Sequence, residues 1–290
     1  MKISEILKTG KRTLSFEVFP PKKSADFDTV REATERIAAL KPDYMSVTFG
    51  AGGKGARYTL PIAANIEQKF GVPVVHHLTC VDSTFENIDE RLIFMQMMGI
   101  ENILALRGDL PEGANPEAWD FHHADELTAY IRKKGDFCIG GACYPDKHPE
   151  AATLEEDVQN LKRKVDAGCE YLTTQLFMEN HSFYKFSNLL GKYGIDVPVV
   201  AGIMPIVTPK QAERICSLAG VKRPLPIVQA LEKFSDGRYD AESFRRTGIE
   251  YAVAQIADLY AKGTNNVHLY TMNRADVAEE IRRYVAEFLK

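Results

Sequence analysis

Short, nearly continuous apolar runs alternate with longer segments of helical periodicity along the whole chain. The first run ends in a Pro-Pro turn, and Val30, Ala33, Ile37 and Leu40 then repeat at helical spacing. Such runs predict strands that are buried on both faces, and such spacing predicts amphipathic helices. The predicted strands cover 14–21, 43–50, 72–79, 102–107, 137–144, 171–177, 197–204 and 266–271.

Helices are predicted in the intervals between these strands. Thr84, Thr153 and Thr208 stand at helix starts, where a threonine hydroxyl caps the first turn. Glu156 follows Thr153 by three residues, so a capping box is predicted there. The predicted helices cover 27–40, 58–70, 84–98, 124–134, 153–167, 182–190, 208–218, 241–261 and 275–289, after a short amphipathic helix formed by Ile3, Ile6 and Leu7 at the N-terminus.

The strict alternation of eight strands with helices predicts a parallel sheet covered by helices. A chain of 290 residues suits one such barrel, and no linker rich in Gly, Pro or Ser divides it. A doubly wound open sheet usually carries G-x-G-x-x-G in its first turn, whereas this chain has Pro20-Pro21. We therefore expect an α/β protein with a (β/α)₈ TIM barrel as a single domain over 1–290.

Composition limits the location and the partners of the protein. The formal net charge of −4 gives no indication of a nucleic-acid or anionic-membrane partner. No apolar run approaches the ~20 residues of a membrane span, and the N-terminus lacks the apolar core of a signal peptide. We expect a cytoplasmic protein with reduced, buried cysteines, because its five cysteines show no C-x-x-C spacing. Composition leaves open whether it is a monomer or a homo-oligomer.

Glu17 interrupts the first apolar run. A buried carboxylate is costly unless it is paired, or its pKa rises and it stays protonated. A glutamate with a raised pKa is a candidate general acid. The alternative is a structural glutamate that pairs with a basic residue elsewhere in the fold.

Polar residues stand at the C-terminal ends of seven of the eight predicted strands, where barrel enzymes place their sites. We interpret them as a site for a polar, extended ligand. A catalytic metal is disfavoured, because adjacent His76 and His77 point to opposite faces and no pair has zinc-motif spacing. The strand-end residues are Glu17; Thr48 with 50–53; His77 and Thr79; Arg107, Gly108 and Asp109; Tyr144 and His148; Gln175; and Tyr270, Asn273 and Arg274.

The predicted helix at 153–167 carries a second group of polar residues on one face. Asp157, Asn160 and Lys164 are spaced at i, i+3 and i+7, with Arg163 beside them. Arginine and lysine suit phosphate groups, and aspartate and asparagine suit hydroxyls. The spacing is equally compatible with a solvated charged face.

Taken together, these segments resemble the methylenetetrahydrofolate reductase family. The resemblance implies an FAD-containing (β/α)₈ barrel that reduces 5,10-methylenetetrahydrofolate to 5-methyltetrahydrofolate, with NADH or NADPH as the usual electron source. The motifs lie in family order at 16–21 (FEVFPP), 46–53 (SVTFGAGG), 77–80 (HLTC), 106–109 (LRGD), 160–168 (NLKRKVDAG), 174–175 (TQ) and 270–274 (YTMNR).

The resemblance also implies a role for each matching residue. Glu17 matches the general acid that opens the methylene bridge, and Asp109 matches the carboxylate beside the flavin and the pterin. Substrate-binding positions are Glu17, Asp109, Gln175, Gln211, Tyr270 and Arg274. Cofactor-binding positions are Thr48, His77, Leu106, Arg107, Gly108, Asp109, His123, Ala124, Ala142, Tyr144, His148, Asp157, Asn160, Arg163 and Lys164.

Two positions depart from the family pattern. Some members carry a tyrosine at the position of His123, and some bacterial members carry a phenylalanine, against the nicotinamide and folate, at Ile215. Ile215 keeps open a partner-dependent subunit that takes electrons from another protein. The other alternative is a metal-dependent lyase or hydrolase on the same barrel. We expect no regulatory domain of the eukaryotic kind, because the chain ends at the barrel.

Overall fold

Eight parallel strands form a closed barrel, which confirms the predicted (β/α)₈ fold. The computed structural model describes residues 1–49, 56–110, 113 and 115–290, so the predicted strand-end residues 50–53 lie outside the described part of the chain. The strands are β1 (Thr13–Val18), β2 (Met45–Val47), β3 (Val74–Thr79), β4 (Asn102–Leu106), β5 (Cys138–Cys143), β6 (Tyr171–Thr174), β7 (Val199–Ile203) and β8 (Asn266–Tyr270). Pairing of β8 with β1 closes the sheet.

Helices alternate with the strands, and every predicted helix is present. One further helix was not predicted, because Pro224 and Pro226 interrupt the helical spacing at its start, where proline is tolerated. The helices are α1 (Ile3–Leu7), α2 (Phe27–Ala38), α3 (Ala56–Phe70), α4 (Phe85–Met97), α5 (Ala124–Arg132), α6 (Leu154–Asp166), α7 (Asn180–Lys192), α8 (Pro209–Ala219), the unpredicted α9 (Leu225–Ser235), α10 (Ala241–Ala261) and α11 (Ala275–Val285). No helix in the described part of the chain is both long and apolar enough to cross a membrane.

The capping box predicted at Thr153 is only half formed. Thr153 Oγ1 accepts a hydrogen bond from the Glu156 N–H at 3.1 Å, as predicted. The Glu156 carboxylate accepts from the Ala152 N–H at 2.9 Å instead of from the Thr153 N–H. The prediction was wrong on this point, because the carboxylate reaches one residue further back than spacing alone suggests.

The N-terminal helix α1 closes one end of the barrel. Ile3 and Leu7 are buried with Tyr44 and Val75 in one apolar cluster. The Ile3 N–H donates to Asn102 Oδ1, at the start of β4, with a distance of 2.9 Å. Since α1 covers the N-terminal ends of the strands, a ligand has access from their C-terminal ends.

Two glycines make room for tyrosines inside the barrel. A Cβ atom at Gly140 on β5 would lie 2.3 Å from the ring of Tyr171. A Cβ atom at Gly202 on β7 would lie 2.6 Å from Tyr270 Oη. The Tyr270 hydroxyl donates a hydrogen bond to the Thr174 carbonyl oxygen. These glycines therefore allow two large polar rings to fill one side of the barrel below the site.

Candidate active site

A cavity of about 1180 Å³ opens at the C-terminal ends of the strands. Common small-molecule pockets occupy ~300–1,000 Å³, so this one has room for an extended ligand or for two ligands. All of the predicted site residues line it except Gln211 and Arg274. Those that line it are Glu17, Thr48, His77, Leu106, Arg107, Gly108, Asp109, His123, Ala124, Ala142, Tyr144, His148, Asp157, Asn160, Arg163, Lys164, Gln175 and Tyr270.

Glu17 presents its carboxyl group to the cavity from β1. Its side chain is 12% exposed, and burial raises its pKa to about 8. His77 Nε2, on β3, lies 3.9 Å from Glu17 Oε2, and burial lowers the pKa of His77 to about 3. Both groups are therefore neutral at pH 7. Within the described residues this histidine is the one basic group within 4.0 Å of Glu17, so the cation that a purely structural glutamate needs is absent there.

The residues after β8 fix the backbone on which Glu17 lies. Thr271 Oγ1 donates to the Glu17 carbonyl oxygen at 2.5 Å. Asn273 accepts from the Phe19 N–H at 2.8 Å and donates to the Phe19 carbonyl oxygen at 3.0 Å. Asn273 has a φ of 56°, in the left-handed region that asparagine tolerates better than most residues. The turn after Glu17 is consequently fixed by the neighbouring strand end.

A buried polar layer lies beneath Glu17, and sequence analysis missed it. Ser15 Oγ lies 2.7 Å from His268 Nδ1, and Ser46 Oγ lies 3.1 Å from His268 Nε2. Burial lowers the pKa of His268 to about 3, so this ring is also neutral. Strand alternation could have found these residues, because Ser15 and His268 each precede an inward-facing residue, Glu17 or Tyr270, by two positions.

The turn after β4 shapes one wall of the cavity. Arg107 donates two hydrogen bonds to Glu150, at 2.6 and 2.9 Å. This pairing raises the pKa of Arg107 and lowers the pKa of Glu150. Gly108 has a φ of +88°, and a Cβ atom there would lie 3.1 Å from Thr79 Cβ. Glycine thus permits a tight turn that leaves Asp109 exposed at the cavity wall.

Two predicted residues of α6 bind backbone groups of the β5 segment. Asp157 accepts a hydrogen bond from the His148 N–H at 2.8 Å. Lys164 Nζ donates to the Ala142 carbonyl oxygen at 2.7 Å. A Cβ atom at Gly141 would lie 2.6 Å from Lys164 Cδ, so glycine is needed for this side chain to pass. Asp157 and Lys164 therefore position α6 against the cavity.

The other two predicted residues of α6 are exposed. The Arg163 guanidinium donates to Asn160 Oδ1 at 2.6 Å. Nearby, the rings of Tyr144 and His148 pack edge-on with their centroids 4.7 Å apart. Burial raises the pKa of Tyr144 to about 12, so its hydroxyl is neutral. This part of the wall offers an amide, a guanidinium and a phenol to a ligand.

Some buried polar atoms of the wall have no hydrogen-bond partner in the part of the chain that the structure describes. Thr48 Oγ1 and His77 Nε2 are two of them, and both residues line the cavity. Buried polar groups in proteins are almost always paired. Unpaired polar atoms on residues that line the cavity are compatible with a site for a polar ligand. His123 and Ala124, at the start of α5, line the cavity as well.

Two predicted substrate residues, Gln211 and Gln175, make hydrogen bonds to the backbone, and Ile215 packs against apolar residues. Gln211 accepts from the Val207 N–H at 2.9 Å and donates to the Pro205 carbonyl oxygen at 3.0 Å. Gln175 Oε1 accepts from the N–H of the next residue at 2.8 Å. Ile215 packs against the apolar cluster beside β7 and, like Gln211, does not line the cavity.

Arg274 also lies outside the cavity lining. Its guanidinium makes two hydrogen bonds to Asp276, at 2.9 and 2.8 Å. Among the residues that the structure describes, no group of three or more His, Cys, Asp or Glu side chains could hold a metal ion. The five cysteines are free and buried, as predicted.

Comparison with known proteins gives concordant matches. The family model for methylenetetrahydrofolate reductase matches residues 2–285. The chain is 35% identical over 273 residues to 5,10-methylenetetrahydrofolate reductase of Escherichia coli (strain K12), which covers 94% of this chain and 90% of that protein. It is 38% identical over 286 residues to a probable methylenetetrahydrofolate reductase (NADH) of Oryza sativa subsp. japonica, covering 94% of this chain and 48% of that protein.

A solved structure supports the fold. An uncharacterized protein from Clostridium thermocellum that binds two copies of 5-methyl-5,6,7,8-tetrahydrofolic acid superposes with a TM-score of 0.69. The match covers 96% of this chain and 98% of that chain. At 15% sequence identity, the likeness concerns the barrel alone.

Proposed function

The chain belongs to the methylenetetrahydrofolate reductase family, and on that premise we propose that it reduces 5,10-methylenetetrahydrofolate to 5-methyltetrahydrofolate with FAD as its bound flavin. NADH or NADPH is the electron source in this proposal. The observation that carries it is Glu17, a carboxyl group with a pKa of about 8 that faces a cavity of about 1180 Å³. The cavity is large enough for a dinucleotide and a folate together.

The cavity wall suits FAD. Thr48 and His77 line the cavity, and Thr48 Oγ1 and His77 Nε2 lack partners within the described residues, which supports placing the polar edge of a flavin beside them. Asn160 and Arg163 are exposed on α6 and suit the ribose hydroxyls and the pyrophosphate. When bound, FAD would supply the hydride, and the protein supplies position and charge.

Glu17 acts as the general acid on the substrate. Its proton passes to N10, the bond between N10 and the methylene carbon breaks, and the bonding electrons remain on N10. The methylene carbon is then doubly bonded to N5 in an iminium ion, and this carbon accepts a hydride to become the methyl group. Protonation is needed because the unprotonated amine is a poor leaving group, and the raised pKa keeps the proton available at pH 7.

Gln175 and Asp109 are suited to hold the pterin ring. The oxygen of the Gln175 amide is occupied by the Leu176 N–H, so its NH₂ group is directed to other acceptors. Asp109 is exposed at the same cavity wall and accepts from N–H donors. An amide donor and a carboxylate acceptor match the mixed hydrogen-bonding edge of a pterin.

We further propose that residues 1–290 act as one catalytic domain in the cytoplasm, in one-carbon metabolism. Ile215 affects which electron donor the protein can use. Ile215 packs in the cluster beside β7 rather than on the cavity, so no aromatic side chain stacks on a nicotinamide from this position. A nicotinamide must then be held by other groups of the wall.

Anaerobic mixing of the purified protein with NADH or NADPH tests the proposal. The flavin absorbance should bleach with one of the two nicotinamides and return when 5,10-methylenetetrahydrofolate is added. A protein that purifies without flavin contradicts the proposal. Bleaching by dithionite but by neither nicotinamide, followed by reoxidation with the folate, would retain the folate reaction and replace the donor with another protein.

A further inference from the structure

The buried polar layer beneath Glu17 continues along the sheet to Glu17 itself. Glu17 pairs in register with Ser46 on β2, and both residues line the cavity. Paired positions of neighbouring strands lie ~4.8 Å apart, so the Ser46 hydroxyl is a lateral neighbour of the Glu17 side chain. Ser46 also contacts the His268 ring, and the same ring contacts Ser15 on β1. The layer therefore ends beside the carboxyl group that the proposed function uses as an acid.

The hydroxyl proton of Ser15 has a definite acceptor. Ser15 Oγ lies 3.1 Å from the Val267 carbonyl oxygen and 2.7 Å from His268 Nδ1. A carbonyl oxygen only accepts hydrogen bonds, so the hydroxyl proton lies between the two oxygens, since otherwise two acceptors would face each other. Ser15 Oγ is then the acceptor at its other contact, and the proton there belongs to His268 Nδ1.

The direction of the remaining hydrogen bond follows from the charge of the ring. Burial lowers the pKa of His268 to about 3, and a neutral imidazole carries one N–H proton. With that proton on Nδ1, Nε2 is an acceptor, and Ser46 Oγ donates to it at 3.1 Å. The single hydroxyl proton of Ser46 is thereby used, and its oxygen has only lone pairs left. The layer consequently presents an acceptor, and no donor, to Glu17.

We propose that Ser46 and His268 are positioning residues that hold Glu17 in its protonated form. The Ser46 oxygen accepts the carboxylic proton, directly or through one water molecule, but it has no proton to give to a carboxylate. Hydrogen bonding to the neutral form of an acid disfavours its ionisation. His268 acts through Ser46, because Nε2 keeps the Ser46 proton directed away from Glu17. The catalytic consequence, an acid that is protonated at each turnover, rests on the proposed function.

The other titratable groups that face Glu17 and His268 in the described part of the chain are uncharged at neutral pH. His77 Nε2, on β3, lies 3.9 Å from Glu17 Oε2, and burial lowers the pKa of His77 to about 3. The rings of Tyr270 and Tyr44 lie against the His268 ring, with centroid distances of 5.5 and 5.8 Å. Burial raises the pKa of both tyrosines above the ordinary value. Burial and the direction of the serine hydroxyl are therefore the features that act on the Glu17 proton.

The direction of the layer can be measured at the His268 ring. NMR of the ¹⁵N-labelled full chain distinguishes the two neutral tautomers of a histidine, and His268→Phe identifies the signals of this ring. We expect the tautomer with its proton on Nδ1 at pH 7. A proton on Nε2 would reverse the layer, direct the Ser46 hydroxyl toward Glu17 and overturn the inference.

The effect on Glu17 is measured by titrating its ¹³C-labelled carboxyl group by NMR, with Glu17→Gln identifying the signal. His268→Phe removes the acceptor of the Ser46 proton, so this hydroxyl is free to donate to the carboxylate. The pKa of Glu17 should then fall by about 1 or more, which is at least a tenfold increase in its ionisation. Adding Ser46→Ala to His268→Phe removes the new donor and should return the pKa to the value of Ser46→Ala alone.

Ser15→Ala tests the layer from its other end and leaves the His268 ring in place. It removes the acceptor of the Nδ1 proton, which allows the ring to carry its proton on Nε2, so the pKa of Glu17 should fall here too. His76→Phe is the matched control, because His76 is an equally buried, neutral histidine that points to the opposite face of β3 from His77. An unchanged Glu17 pKa in a folded His268→Phe or Ser15→Ala variant, or an equal fall in His76→Phe, would overturn the inference.

A kinetic measurement separates this inference from the proposed function. The pH above which flavin reoxidation by methylenetetrahydrofolate slows should fall in His268→Phe by as much as the pKa of Glu17 falls. A wild-type pH profile in a variant whose Glu17 pKa has fallen would overturn the catalytic consequence. A lowered Glu17 pKa in a protein that does not react with the folate would retain the layer and remove the proposed function.

Discussion

Glu17 Oε2 lies 3.9 Å from His77 Nε2, and neither group stabilises a charge on the other. Burial raises the pKa of Glu17 to about 8 and lowers the pKa of His77 to about 3. A protonated histidine at this distance would attract the carboxylate and lower its pKa. A neutral His77 therefore leaves Glu17 in the protonated form that a general acid requires.

Glu17→Gln should damage the folate half of the reaction and spare the other half. The amide keeps the size of the side chain but has no carboxylic proton to donate. General acid catalysis is typically worth about 10²–10⁴-fold, and we expect a loss of at least that size in flavin reoxidation by methylenetetrahydrofolate. Flavin reduction by the nicotinamide should stay within a few-fold of wild type. Stopped-flow absorbance measures both, and equal slowing of the two would remove the acid assignment.

The stability of the protein should depend on pH through Glu17 with a definite sign. Between its unfolded pKa of 4.5 and its folded pKa of about 8, the folded protein keeps a proton that the unfolded chain loses. The contribution of Glu17 to stability is therefore fully present below pH 4.5 and decreases as pH rises to 8, by up to ~1.4 kcal/mol per pH unit. Urea unfolding of wild type and Glu17→Gln should show the variant gaining relative stability from pH 5 to 8. A constant difference would contradict the raised pKa.

The stability of Glu17→Gln is compared with that of wild type at each pH, because other buried groups also titrate between pH 5 and 8. Burial also raises the pKa of Glu67 to about 7, and Glu67 is present in both wild type and Glu17→Gln. Histidines with lowered pKa, such as His77, act with the opposite sign and mainly below pH 6.5. The difference between the two proteins therefore isolates Glu17.

Much of the fold could be predicted from local sequence. Apolar runs indicate the strands and helical spacing indicates the helices of a barrel, because both patterns are local and do not depend on which elements are in contact. The predicted strands ran too far where apolar residues continue beyond the sheet, as at Leu176 and Phe177 after β6. These side chains are buried between elements, and a pattern does not distinguish that burial from burial in a strand.

The site could be predicted in part. Glu17 was predicted to be buried with a raised pKa, because a carboxylate in an apolar run is costly, and the structure has both features. The pairing of Arg107 with Glu150, 43 residues away, has no local signal. Gln211 stays a prediction from motif matching, and its amide bonds backbone groups of the loop after β7.

The residues of α6 should affect FAD retention in two distinguishable ways. Asn160→Ala should weaken FAD binding by roughly 0.5–1.5 kcal/mol, the range for neutral hydrogen bonds, and Arg163→Ala by roughly 1.5–3 kcal/mol, the range for charged ones. Neither change should alter the stability of the apoprotein. Asp157→Ala should lower both the affinity for FAD and the stability of the apoprotein, because Asp157 also accepts a hydrogen bond from the His148 N–H. Lys162→Ala is the control, since Lys162 lies on the same helix and pairs with Asp166. Flavin fluorescence on dilution and apoprotein melting curves measure the two effects, and unchanged retention in all variants would place the adenosine half elsewhere.

Gly202→Ala should displace Tyr270 and thereby disturb the site from inside the barrel. The new Cβ would lie 2.5 Å from the Thr174 carbonyl oxygen and 2.6 Å from Tyr270 Oη, which donates to that same oxygen. Overpacking of this kind typically costs ~1–3 kcal/mol, which urea unfolding would show. Tyr270 pairs in register with Glu17 across β8 and β1, so the folate half-reaction should slow more than flavin reduction.

Gly191→Ala provides the matched control for this change. Gly191 lies near the end of α7, and a Cβ atom there would have no neighbour within 4 Å. Alanine favours a helix over glycine by up to ~1 kcal/mol, so this variant should be slightly more stable than wild type and fully active. Tyr270→Phe in the Gly202→Ala background removes the hydroxyl that the new Cβ meets and should recover part of the lost stability. Wild-type stability in Gly202→Ala, or no recovery in the double variant, would show that the close approach of Gly202 and Tyr270 does not constrain the site.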